Sequence, residues 1–221
     1  MRDHPAMTDD ELLDVIDAGG AHVGVKDRAA VHRDGDWHVA FHLWVVSADG
    51  VLLQRRARTK SSWPGRLDAT AAGHLRAGER VPDGVREATE ELGVTWPFAD
   101  LVALGTYAVE DHERPGIVNR ERQHVFAVRD DRPLERYDAF DRAELDGLVL
   151  VEHDAFAELA GGSEAPVTAT AWDGARLRAT SVRAAELVPS PYLGSLPAAL
   201  AAVRATSRSE SSRSRSRALG S

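Results

Sequence analysis

Three glutamates, Glu87, Glu90 and Glu91, stand at i, i+3 and i+4 within Arg86-Glu87-Ala88-Thr89-Glu90-Glu91-Leu92-Gly93-Val94. On an α-helix that spacing places all three carboxylates on one face. Like charges so placed repel by roughly a few tenths of a kcal/mol per pair in water. A divalent cation reverses the sign of that interaction, and hard oxygen donors suit Mg²⁺ or Mn²⁺. Upstream lies Gly73-His74-Leu75-Arg76-Ala77-Gly78-Glu79, a glycine-rich loop that runs into the helix. Pro82 suits a first helical position, where its missing N–H costs little, and Gly93 suits the residue just past the end. Taken alone, three glutamates are an ordinary solvated acidic face.

The elements that must position this loop and helix can be read along the chain. Leu12–Asp17 reads as a short strand ending in the turn Ala18-Gly19-Gly20, with a second extended piece near His22–Val25. Residues 26–38 are polar and carry His32 and His38. His38–Val46 is strongly β-prone, Ala48-Asp49-Gly50 makes a hairpin turn, and Val51–Arg56 returns as the partner strand. Ala69–Ala72 is the strand that feeds Gly73. Beyond the helix, Leu101–Val109 and Val118–Val128 read as strands, with Glu121 at the start of the second. A loop and strand follow over Ala143–Val151, then a short helix over Asp154–Ala160 ended by Gly161-Gly162. Trp172-Asp173-Gly174 is a turn suited to a late hairpin, and Leu196–Val203 a last helix.

Composition narrows the class. The 221 residues are 43% hydrophobic and 28% charged, as in a soluble globular protein of one ordinary to large domain. No apolar run approaches the ~20 residues of a membrane span. The N-terminus does not read as a signal peptide. With no cysteine, disulfides, thiolate metal sites and a cysteine nucleophile are excluded, and a cytoplasmic enzyme is expected. Residues 207–221 hold four arginines against one glutamate, so the rest of the chain carries −11 of the net −8 charge. That acidic body is a poor partner for a nucleic-acid polymer, which demands a basic face. A small anionic metabolite bound through a cation is compatible with it. The segment from Thr206 is Ser/Arg low complexity and reads as disordered.

Gly73, Glu79 and the run from Arg86 to Val94 together resemble the Nudix box of the Nudix hydrolase superfamily. That pattern is a Gly, five residues, a Glu, seven residues, then Arg-Glu-apolar-x-Glu-Glu-x-Gly-apolar. Two departures stand out: only six residues, Arg80 to Val85, separate Glu79 from Arg86, and Ala88 is small for the apolar slot. The spacing within 86–94 is fixed by the helix, so the shortening must be absorbed in 80–85, where Pro82 and Gly84 permit a tighter entry. The three carboxylates are then expected to converge, with Glu79 alone displaced.

The resemblance covers about residues 10–200 and implies an α/β protein of the Nudix fold: an α/β/α sandwich with a mixed β-sheet and a loop–helix catalytic motif. The domain would occupy 11–205, between a flexible N-terminus (1–10) and the tail (206–221). It implies Mg²⁺, or Mn²⁺, held by Glu87, Glu90 and Glu91 with the Gly73 carbonyl nearby. Glu87 is the first choice of general base and Glu121 the second, Arg86 orients the carboxylates, and Glu79 is auxiliary. Arg55, Arg56 and Lys60 read either as a solvated strand edge or as phosphate clamps, and His74 joins them as a substrate contact. A small-molecule diphosphate is the implied partner, with no nucleic-acid polymer and no membrane, and a homodimer left open.

Upstream, Trp37-His38, Gln54-Arg55-Arg56, Lys60, Trp63-Pro64-Gly65 and Ala72-Gly73-His74 are similar to the isopentenyl-diphosphate isomerase branch and its hydrolase relatives. The isomerase uses an essential cysteine just before the Gly-His pair; Ala72 stands there. Arg86-Glu87, which the isomerase tends to lack, is present. The expected reaction is therefore hydrolysis of a phosphoanhydride in a nucleoside-linked or prenyl-type diphosphate. The alternatives are an isomerase-like enzyme and a non-catalytic Nudix binding domain. Histidines similar to His32, His38 and His74 bind a metal in the isomerase, with a late glutamate corresponding to Glu121; structural histidines are the competing explanation.

Overall fold

The structure is a computed structural model that describes residues 11–112 and 118–205. The flexible N-terminus and Ser/Arg tail expected from sequence lie outside the described residues. Strand β3 (Trp37–Val46) organises the rest. All but two of its residues are buried, including His38 and His42, as suits a strand covered on both faces. It pairs in parallel with β8 (Asn119–Arg129) over its whole length, from Trp37 opposite Arg120 to Val46 opposite Arg129. On its other edge it pairs antiparallel with β6 (Ala71–His74), from Ala40 opposite His74 to Leu43 opposite Ala71.

The Ala48-Asp49-Gly50 turn does join β3 to β4 (Val51–Arg56), yet the hairpin holds only two residue pairs, Val45–Leu52 and Val46–Val51. Past that point β6 occupies the edge of β3, and β4 continues beside β9 (Leu145–Val151) and β5 (Leu67–Asp68). The hairpin β10 (Val167–Trp172) and β11 (Leu177–Val182) extends the β9 side. β7 (Val102–Asp111) is the outer neighbour of β8, and the hairpin β1 (Leu12–Ile16) and β2 (His22–Asp27) touches the start of β3.

Helices cover the sheet on both faces, which makes the expected sandwich. One apolar cluster joins Trp44, Leu53 and Val149 to Phe156 of α3 (His153–Ala160) and to Leu196 and Leu200 of a final helix over 196–205. The other joins Phe41, Leu43 and Phe126 to Ala88 and Leu92 of the glutamate helix (Arg86–Leu92). Each fully buried leucine in these clusters contributes about 1.5–3 kcal/mol of transfer free energy.

Two local readings need correcting. The polar stretch 26–38 contains a helix, α1 (Arg28–Asp34), which makes the glutamate helix α2. Asp27 caps α1, its carboxylate accepting from Ala30 N at 2.8 Å, and Gly35 ends it in the left-handed region at φ 70°. Pro82 does not open α2; it lies in a 3-10 turn, Val81–Val85, and α2 begins at Arg86. That turn takes up the shortened connection. It lies flat on β3, where a Cβ on Gly84 would come within 2.7 Å of Phe41. Ala88 packs in the same cluster as Phe41, which accounts for the small residue in the apolar slot.

Candidate active site

The period of α2 divides its glutamates. Glu87 and Glu91 are buried against β6, while Glu90 is exposed. β6 passes so close that a Cβ on Gly73 would fall 2.2 Å from the Glu87 carboxyl carbon, so any side chain there would push that carboxyl aside. Glu91 Oε2 accepts from Ala72 N at 3.0 Å. Arg86 gathers the remaining acids. Its Nε and Nη2 donate to the two Glu79 oxygens at 2.7 and 2.9 Å, Nη1 donates to Glu87 Oε1 and to Glu90 Oε2, and Nη2 also donates to the carbonyl of His74. This is the fork geometry that suits a guanidinium among carboxylates. Glu79 thus stays in the cluster in spite of the shorter connection. Arg76 holds Glu90 from outside at 3.0 Å.

Burial, then the charges of Glu90 and Glu11, push Glu87 up to about 7, with Arg86 opposing. Burial, then the charge of Glu87, pushes Glu91 well above the usual carboxylate range. Two adjacent buried carboxyls with too little positive charge between them leave negative charge that a hard divalent cation would offset, so the donor types present fit Mg²⁺ or Mn²⁺.

A second constellation lies across β6. His32 of α1, His38 of β3 and His74 of β6 each bring one ring nitrogen within 4.8 Å of the others, the single such group of three among the described residues. Their ring centroids are 4.6 to 5.2 Å apart. The parallel register sets Glu121 of β8 beside His38. Arg28 Nε donates to His74 Nδ1 at 3.2 Å. A guanidinium can only donate, so the His74 proton is on Nε2, which donates to Glu121 Oε1 at 3.0 Å. Asn119 and Gln123 amides donate to the same carboxylate at 2.7 Å each. His38 Nε2 is buried without a hydrogen-bond partner and stands 4.0 Å from Glu121. Burial lowers His38 and takes His74 down to about 3, so both are neutral. Burial works against ionisation of Glu121, but the hydrogen bond donated by His74 outweighs it and holds the carboxyl well below its usual range.

A cavity of about 890 Å³ joins the two constellations. Arg56 and Lys60 line it, paired with Asp68 at 3.1 Å and with Glu144. Arg55 does not line it: neighbouring strand residues point to opposite faces, and its guanidinium is held by Gly65 O at 3.0 Å and Glu186 at 3.2 Å. The phosphate-clamp reading of Arg55 is therefore withdrawn.

Several site residues escaped the sequence reading: Arg28, His42, Asn119 and Gln123. Period two was the signal for three of them, since His38 and His42 share one face of β3, and Asn119, Glu121 and Gln123 one face of β8. His42 Nδ1 bonds the Tyr192 hydroxyl at 2.9 Å, and its Nε2 is 4.0 Å from Glu121. Nothing in the sequence pointed from Arg28 to His74.

The chain belongs to the NUDIX domain family, whose model matches residues 36–172. Its class is that of the Nudix pyrophosphohydrolases. It is 36% identical to an uncharacterised Nudix hydrolase of Clostridium acetobutylicum over 67% of this chain and 73% of that protein. It is also 34% identical to an isopentenyl-diphosphate Delta-isomerase of Saccharopolyspora erythraea, over 69% of this chain and 78% of the other. The crystal structure of DR0079 from Deinococcus radiodurans superposes with a TM-score of 0.52 at 20% identity, covering 70% of this chain and 91% of that one, a likeness of fold.

Proposed function

We propose that this chain hydrolyses a phosphoanhydride bond in a small diphosphate-containing molecule, with Mg²⁺ or Mn²⁺ bound by Glu87, Glu90, Glu91 and the Gly73 carbonyl. The observation that carries this reading is the buried Glu87–Glu91 pair on the wall of a cavity that Arg56 and Lys60 also line. The bound cation would offset negative charge on the diphosphate and lower the pKa of water. Every other part of the work falls to side chains. Arg86 fixes Glu79, Glu87 and Glu90 in one arrangement, so little reorganisation remains for the transition state. Arg56 and Lys60 exchange Asp68 and Glu144 for phosphate oxygens. Water attacks phosphorus, the bridging P–O bond breaks, and the water proton passes to a carboxylate.

Glu87 is the base of first choice. Its Oε1 is engaged by Arg86, which leaves Oε2 for the proton. Glu121, held ionised by His74, Asn119 and Gln123, is the second choice. His32, His38, His74 and Glu121 would hold a second divalent ion; three imidazoles and a carboxylate suit a borderline metal such as Zn²⁺ or Mn²⁺. The partnerless His38 Nε2 supports that reading.

The isomerase relatives favour a second reading, isomerisation of an isopentenyl-type diphosphate. Ala72 weighs against it, because the resemblance puts an essential cysteine at that place. A phosphate-release screen with and without Mg²⁺ over nucleotides, nucleotide sugars, dinucleotides and prenyl diphosphates tests the proposal. Metal-dependent release that is lost in Glu87→Gln and Glu91→Gln is expected. Dimethylallyl diphosphate formed from isopentenyl diphosphate, beyond a metal-only control, would put the isomerase first.

A further inference from the structure

Both ring nitrogens of His74 are engaged. Nδ1 accepts from Arg28 Nε at 3.2 Å, and Nε2 donates to Glu121 Oε1 at 3.0 Å. Arg28 is the first residue of α1, one helical turn before His32, so one short helix carries both residues to the histidine cluster. Its backbone N donates to Glu11 O at 2.8 Å, which ties the helix start to the residue before β1. The other cationic side chains on the cavity wall face carboxylates: Arg56 faces Asp68, Lys60 faces Glu144, and Arg76 and Arg86 share Glu90. Arg28 bonds instead to a neutral ring, since an imidazole that accepts at Nδ1 and donates at Nε2 carries one proton.

That bond is incompatible with an ion on the ring. An imidazole that ligates through Nε2 gives up the proton there and carries its remaining one on Nδ1, where it needs an acceptor. Arg28 Nε offers only a second donor at that atom. An imidazole that ligates through Nδ1 needs the lone pair that Arg28 already occupies. Either mode requires the guanidinium to leave, and its charge would also repel a dication held so close. His38 provides the contrast. Its Nδ1 donates to the carbonyl of Asp36 at 3.1 Å, which leaves the lone pair on Nε2, the atom that stands 4.0 Å from Glu121 without a hydrogen-bond partner. His38 is set to receive a ligand, and His74 is set against one.

We infer that Arg28 gates the histidine site: an ion on His74 and the Arg28–His74 bond exclude each other, so an ion enters as Arg28 turns to an oxyanion in the cavity. The inference rests on the second-ion reading above. Once Arg28 leaves, the His74 proton can pass from Nε2 to Nδ1 through solvent; the ring stays neutral, and Nε2 and Glu121 Oε1 both become free to ligate. Arg28 lines the same cavity as Arg56 and Lys60, and a guanidinium grips a phosphate-type oxyanion with two parallel bonds. Ion and oxyanion then favour one another by the same factor, because coupling between two sites is reciprocal.

Co²⁺ binding, read by visible absorption and calorimetry, is compared with and without Arg28→Met in a Glu87→Gln, Glu91→Gln background that removes the acidic site. Methionine keeps an apolar stem and has no donor. Arg28→Met is expected to bind Co²⁺ about 10- to 100-fold more tightly, the range over which the partner of a ring nitrogen tunes an ion site. Sulfate, at an ionic strength held constant with chloride, should tighten Co²⁺ binding more in the protein that retains Arg28 than in Arg28→Met. Equal Co²⁺ affinity in the two proteins would overturn the gate, and an equal effect of sulfate would overturn the part of the oxyanion in it. A second measurement needs no substitution: ¹⁵N shifts in the metal-free wild type should show the His74 proton on Nε2, and Zn²⁺ should move the Arg28 Nε–H signal. A proton on Nδ1 without metal, or an Arg28 signal that Zn²⁺ leaves unmoved, sinks the inference. Co²⁺ binding that survives His38→Ala removes the second ion and the gate with it. If the gate holds while no diphosphate is cleaved, the hydrolase reading alone fails.

Discussion

Gly73 and Glu87 approach so closely that a single methyl group on residue 73 would sit 2.2 Å from the Glu87 carboxyl carbon. One backbone position on β6 thereby dictates where the proposed metal-binding acid of α2 can lie. Gly73→Ala should displace Glu87 and lower metal-dependent turnover by about 10²-fold or more, on the order of losing a positioned charge-stabilising group. Melting temperature and turnover, measured on the same preparation, check this; a folded Gly73→Ala protein with wild-type turnover would remove Glu87 from the site.

Glu91 is a buried acid whose charge is disfavoured without a cation, yet its Oε2 accepts from Ala72 N. Glutamine keeps that oxygen and removes the charge. Glu91→Gln should therefore be at least as stable as wild type in chelator, and should lose Mg²⁺-dependent turnover by orders of magnitude. Thermal unfolding in EDTA and a turnover assay read the two effects separately. A large fall in stability would show that Glu91 is a structural ion-pair partner.

Stability of the metal-free protein should depend on pH through Glu87. Its folded pKa of about 7 lies above the ordinary 4.5, so the folded state binds the proton more tightly than the unfolded chain. Stability is then greatest below about pH 4.5 as far as this group is concerned, and falls as pH rises towards 7, by up to about 3 kcal/mol. Glu87→Gln should flatten that part of the profile. Denaturant midpoints between pH 5 and 7.5, in EDTA, provide the comparison.

Mg²⁺ should raise the melting temperature of wild type by mass action, by up to about 2.7 kcal/mol of stability at a hundredfold excess over its dissociation constant. The double variant Glu87→Gln, Glu91→Gln should lose that increment. An equal rise in both proteins would place the ion elsewhere.

Arg86→Lys should be far from conservative. A lysine has no fork to span Glu79, Glu87 and Glu90 at once. Turnover should fall at least tenfold with metal affinity reduced, while the fold, resting on Ala88 and Leu92 beneath, persists. Unchanged metal affinity by calorimetry would limit Arg86 to packing.

How much of this was present in the sequence follows from the range of each interaction. The i, i+3, i+4 spacing put Glu87, Glu90 and Glu91 on one helix, and Gly93 ended it, because helical geometry and a left-handed cap are local properties. β-Prone runs marked β3 and β8 as strands, and the period of two along β8 contained, unread, the shared face of Asn119, Glu121 and Gln123. The α1 helix was missed because seven residues among polar neighbours give too short a period to register. What the tertiary structure alone decided is pairing. The parallel register of β3 with β8 brings Glu121 to His38, residues 83 positions apart in a chain whose local pattern says nothing of which strand lies beside which. The direction of Arg28 towards His74, the turning of Arg55 out of the cavity, and the 2.2 Å margin at Gly73 depend on packing between elements distant in sequence. Burial then decided the chemistry: the same glutamate type is solvated at position 90, raised to about 7 at position 87 and held ionised at position 121, because desolvation and neighbouring charge exist only once the chain is folded.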